Sequence, residues 1–123
     1  MAAITATKTA ENHKKGRLVR FYGTSTANQS DTLSTDGLRA GRLICCTVAW
    51  TSAVTKNVTV QLISGISAGY NALLTTMAAS AAVTVSYTPT VEFVIATGDK
   101  IMLTNDAGGS AITAAMTIYL EEL

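Results

Sequence analysis

Charged and reactive side chains are scarce in this chain. Asp, Glu, Lys and Arg make up only 14% of its 123 residues, and there are one His, one Pro, one Trp and two Cys. With 48% hydrophobic residues beside so little charge, a wholly disordered polymer is excluded. The single His, His13, lies near the amino terminus. A hydrolytic enzyme needs a nucleophile with a base beside it, and a base on a loose terminal segment is not held to the tolerance that catalysis demands. No enzyme is therefore expected.

Cysteine excludes as much. Cys45 and Cys46 are neighbours, so on a strand they point to opposite faces and a bridge between them is strained. They read as reduced packing residues. Two vicinal Cys and one distant His also lack the ligand spacing of zinc sites. Gly65-Ile66-Ser67-Ala68-Gly69 lacks the Gly-Lys-Ser/Thr ending of a phosphate loop. No apolar run approaches the roughly 18–20 residues that span a bilayer, and no basic start leads into an apolar run and a cleavage site. The expectation is a chain made and kept in a cytosol, with no cofactor and no membrane contact.

What is present is a succession of β-branched runs separated by Gly, Ser, Asn and Asp clusters, the pattern of strands and turns. The length suits one domain, which buries roughly two thirds of the surface of its unfolded chain. Strands are expected at residues 17–24, 42–51, 57–63, 82–87, 92–96, 100–104 and 113–121. Alternation assigns the core faces: Ile44, Cys46, Val48 and Trp50, then Val58, Val60 and Leu62, then Ala114, Met116, Ile118 and Leu120. Thr59, Gln61, Thr117, Tyr119 and Glu121 fall on the wet sides. Two antiparallel sheets stacked face to face make a sandwich.

The Ala- and Leu-rich stretch 67–80 resists this pattern, and a strand over 71–76 is the preferred reading. Thr97-Gly98-Asp99-Lys100 reads as a tight hairpin. Residues 105–110 read as a longer connection of the same kind, and Pro89 marks a strand border. Asp99 with Asn105 and Asp106 form the one conceivable calcium cluster, but their spacing matches no EF-hand loop.

Charge is unevenly placed. Residues 1–42 hold seven basic groups against Glu11, Asp31 and Asp36, a net +4, while the rest holds two against five, a net −3. Residues 1–16 show no apolar period and are expected to be an extended arm, with one domain over 17–123. Lys8, Lys14, Lys15, Arg17 and Arg20 suit an acidic protein surface. The body offers no matching basic face, which argues against nucleic acid. Ile63, Val94 and Met102 fall on the parity opposite to the core faces and are candidates for a subunit interface.

The runs Asn57-Val-Thr-Val-Gln-Leu-Ile63, Tyr70-Asn-Ala-Leu-Leu74, Val83-Thr-Val-Ser-Tyr87, Thr97-Gly-Asp-Lys-Ile101 and Ala115-Met-Thr-Ile-Tyr-Leu120 resemble a pattern common in small structural proteins of tailed-bacteriophage virions. The resemblance covers about residues 40–121. It implies a jelly-roll-like antiparallel β-sandwich that decorates or cements the capsid, often as a homotrimer, with an arm reaching to neighbouring capsid subunits. The virion, after synthesis in the host cytoplasm, is the implied location. Other readings are a tail, neck or fibre subunit, or a carbohydrate-binding module using Tyr22, Tyr70 and Tyr119 as stacking platforms.

Overall fold

The computed structural model describes residues 2–13, 16–25, 30–79, 81–106 and 112–122. Among them run the strands β1 (Ala2–Ala3), β2 (Thr7–His13), β3 (Gly16–Thr24), β4 (Asp31–Ser34), β5 (Gly41–Val54), β6 (Asn57–Ile63), β7 (Ala72–Ala78), β8 (Ala82–Tyr87), β9 (Val94–Ile95), β10 (Lys100–Asn105) and β11 (Ala114–Glu122). They form two sheets, one in the order β1-β4-β10-β6-β7 and one in the order β2-β3-β11-β5-β8, with β9 also on β5. Apart from the parallel β1–β4 pair, the pairings are antiparallel. The chain is an all-β sandwich, as its alternation predicts.

The core lies between the sheets. Val19, Phe21, Val48, Met116, Ile118 and Leu120 enter it from the six-stranded sheet, and Leu33, Val58, Val60, Ile101 and Leu103 from the five-stranded one. Each such side chain contributes about 1.5–3 kcal/mol on leaving water. Trp50 adds a polar link, its Nε1–H donating to Asn105 Oδ1 on the opposite sheet at 3.2 Å in a buried setting. At the same end, Ser25 and Ala114 exchange two bonds: the Ser25 N–H donates to the Ala114 carbonyl, and the Ala114 N–H to Ser25 Oγ.

Several sequence expectations need correction. The first concerns Ile44. Tyr119 faces Cys45 and Leu120 faces Leu43, so Ile44 is the extra residue of a β-bulge. Leu43 takes the core position and Ile44 is left half-buried. Secondly, Glu121 is not on a wet face but buried, under the Arg42 guanidinium at 3.0 Å. Thirdly, the first residues are not a free arm. Ala2–Ala3 pairs with β4, and Thr7–His13 pairs with β3 along its whole length. Thr7 through Glu11 are all exposed, so no apolar period marks this edge strand, and its place comes from backbone pairing and from the contacts of Lys8.

The Gly98 turn also differs from a hairpin. Gly98 has φ +97 as the turn requires, but it joins β9 of one sheet to β10 of the other. Beside it Gly65 packs so closely that a Cβ there would fall on the Gly98 carbonyl, while the Gly65 N–H donates to Asp99 Oδ1 at 2.7 Å. The loop between β6 and β7, with a single 3-10 turn at Ala68–Tyr70, is thereby fixed against the β9–β10 turn. At both sides of the sandwich an edge strand of one sheet leads by a short connection to an edge strand of the other, β1 to β2 and β7 to β8.

Candidate functional interface

Two surfaces of contrasting chemistry stand at opposite edges of this sandwich. One is the charged end of the six-stranded sheet, where β2, β3, β11 and β5 meet. Glu122 is buried there, with Lys8 Nζ 3.7 Å from its Oε2 and Arg17 Nη1 3.7 Å from its Oε1. Lys8 also donates to the Gly37 carbonyl at 3.4 Å and lies 5.6 Å above the Phe21 ring, bridging from one sheet to a turn of the other. Arg42 holds Glu121 at 3.0 Å and reaches Glu92 at 3.6 Å.

Of the basic candidates, the structure therefore brings Lys8 and Arg17 together on one carboxylate. Arg20 stands apart on the outer face of the sheet, its guanidinium 4.1 Å from the Tyr22 ring centre. Lys14 and Lys15 lie outside the described residues, between the paired ends His13 and Gly16. Arg17 keeps 58% of its side chain exposed, so this corner remains cationic toward solvent.

The second surface has no charge at all. Between Lys56 and Glu92 the sequence contains no Asp, Glu, Lys, Arg or His. The topology turns that run into one flank: β6 and β7 close the five-stranded sheet, and β8 is the edge of the six-stranded one. Large apolar side chains stand in solvent along it, Ile66 at 85% exposure, Val91 at 77%, Tyr70 at 68% and Leu73 at 59%.

The outer face of the five-stranded sheet continues this surface as far as Lys100. Register aligns Thr32, Thr104, Thr59 and Thr76 in one row across β4, β10, β6 and β7. The next row is Ser34, Met102, Gln61 and Leu73, and beyond it Ile63 faces Lys100. Met102 and Ile63 thus share this face, both half-buried, while Val94 is exposed on β9 at the neighbouring sheet.

Other sequence candidates disperse. Asp99 precedes β10 and Asn105 ends it, so about 20 Å of strand separates the acidic turn residues and they share no cation. Tyr22 and Tyr119 lie on the outer face of the six-stranded sheet, away from Tyr70. A shallow cleft of about 240 Å³ opens between the turns at 35–38 and 98–100, where Lys100 Nζ and Asp36 Oδ1 meet at 3.0 Å. Cys45 is half-buried. Cys46 is buried, and burial first, then the neighbouring Cys45, pushes its thiol up to about 12.

Sequence reasoning missed the neutral flank. Its signal, the absence of charge over a long run, was present, but only the strand order shows that the run makes one edge. No helix among the described residues is long and apolar enough to cross a membrane. No protein-family model matches the chain, and no curated protein matches it.

Proposed function

We propose that this chain is a non-catalytic structural protein of a bacteriophage virion, a jelly-roll module that decorates the head and ties neighbouring capsid subunits together. The observation that carries this reading is the pair of opposed surfaces on one small sandwich. A module that ties subunits must grip in at least two places. Here a cationic corner at the β2–β3 edge serves as the grip on the capsid, and a neutral apolar flank at the β7–β8 edge joins one module to the next, so that joined modules span neighbouring subunits. The strand order β3-β11-β5-β8 facing β4-β10-β6-β7 supports the jelly-roll description, since the chain crosses repeatedly between two four-stranded layers.

In this reading Lys14, Lys15 and Arg17 meet acidic groups of the capsid surface. Such contacts steer docking and fix its register more than they add affinity. The test is co-sedimentation of the full chain with empty heads of the cognate tailed phage, beside a Lys14→Glu, Lys15→Glu double variant. Pelleting of the natural chain, with loss of at least tenfold in apparent affinity for the variant, supports the proposal. A natural chain that stays in the supernatant overturns it, and equal pelleting of both forms overturns the role of Lys14 and Lys15.

A further inference from the structure

We infer that the flank formed by β7, β8 and residues 64–71 is the surface on which a second copy of this chain packs. In the single chain the core is unfinished at this flank. Among the described residues, nine half-buried side chains pack against the core. Ile4, Ala6, Phe93 and Ile112 lie elsewhere, while β6, β7 and β8 carry the other five, Leu62, Leu74, Met77, Val85 and Tyr87. Outside them stand Ile66, Tyr70, Leu73 and Val83, each exposed. A partly covered core bordered by exposed apolar residues is what a subunit interface looks like when one subunit is viewed alone.

The strand edges point the same way. An edge strand offers a row of unpaired backbone groups, and proteins that stay single blunt such edges with Lys, inward charges or Pro. The opposite edge, β2, carries Lys8 and Glu11, whereas β7 and β8 carry no charge and no Pro. The bulge in β7, where Val60 faces Thr75 and Gln61 faces Leu73, is its one blunting feature.

Charge identifies the occupant as a second copy. A partner with a charged surface would have to strip water from its ions against a flank that has none to pair with them. A copy of the same flank brings no such cost, because a neutral surface is complementary to itself under two-fold or ring symmetry.

This inference stands independently of the virion: an oligomer that ignores phage heads would leave it intact and sink the head-decoration reading alone. The measurement is light-scattering mass of the full chain from micromolar to submillimolar concentration, for the natural chain, for Leu73→Glu and for Thr9→Glu on the opposite edge. The natural chain and Thr9→Glu are expected at two or more chain masses, and Leu73→Glu at one. Should Leu73→Glu fail to fold, amide exchange of the natural chain decides: β7 and β8 amides must slow with rising concentration while β2 amides do not. A natural chain of single mass at every concentration, an oligomer unaffected by Leu73→Glu, or exchange at β7 independent of concentration overturns the inference.

Discussion

The charged end of the six-stranded sheet and the neutral β7–β8 flank solve one problem in opposite ways. Both lie where a sheet stops and its last side chains have nothing beyond them. At the charged end, Glu121 and Glu122 are drawn under cations from β5, β2 and β3, and Lys8 reaches across to the Gly37 carbonyl. Directional pairs close that margin, and each needs its partner in place. On the flank, β7 and β8 have no charged side chain to form such pairs, and what they present is exposed apolar area and strand edges. A surface held by specific pairs is complete in one chain, whereas one made of area alone is completed by covering it. The difference shows which side of a sandwich is finished.

The largest expected effect comes from breaking the finished side. Arg42→Ala leaves the Glu121 carboxylate buried without its 3.0 Å partner. Removing one member of a buried pair costs about 3 kcal/mol, because the remaining carboxylate has lost the cation held closest to it. The urea midpoint should fall accordingly, with the m-value unchanged. Lys8→Ala, by contrast, removes a cation that stands 3.7 Å from Glu122, beyond hydrogen-bonding reach, and leaves Arg17 3.7 Å from the same carboxylate, so its cost should be no more than about 1 kcal/mol. Equal costs for the two substitutions would mean that the short Arg42–Glu121 contact is worth no more than the longer ones.

A pH series sharpens the view of the other side. Cys46 faces Tyr87 of β8 in register, so its thiol lies directly inside the flank. Its folded pKa is raised from 9.0 to about 12, chiefly by burial. Below pH 9 the thiol is protonated in both folded and unfolded chains and contributes nothing to the pH dependence. Above 9 the unfolded chain ionises first, so stability falls with rising pH, by about 1.4 kcal/mol at pH 10 from this group, until the folded pKa is passed. Cys46→Ala should lack that increment of alkaline loss when both are unfolded in urea at pH 8 and 10. Identical pH dependence in the two chains would mean that water reaches the thiol and the flank is open.

How much of this was legible beforehand follows from the same contrast. Strands with one wet face announce themselves by alternation, so β5, β6 and β11 and most of their core residues could be read directly. Ile44 could not, because a bulge shifts parity without leaving a mark in composition. β2 could not either, since Thr7 through Glu11 are exposed and an edge strand wet on both faces has no period to detect. β4, with Leu33 as its only large apolar residue, was too short to register. The cations were visible one by one, but that Lys8 and Arg17 converge on Glu122 depends on pairing between the two ends of the chain.

The smallest expected effect lies at the turn that joins the two edge strands of the flank. Ala81 has φ 66, a left-handed backbone that costs a residue with a Cβ about 1–2 kcal/mol relative to glycine. It is held there by its N–H, which donates to the Val54 carbonyl at 2.8 Å, while the Ala79 N–H donates to the Lys56 carbonyl at 3.2 Å. Two connections, β5–β6 and β7–β8, are thus tied together at one end of the flank. Ala81→Gly relieves the steric cost but lets the unfolded chain gain entropy, which returns up to about 1 kcal/mol. The net should be a stabilisation of no more than about 1 kcal/mol, seen as a small rise in the urea midpoint with chain mass unchanged. A destabilised Ala81→Gly would mean that the turn is rigid for reasons beyond its two hydrogen bonds. A changed mass would mean that the turn itself takes part in the contact between copies, and would extend the covered surface from the strand edges to this end of the sandwich.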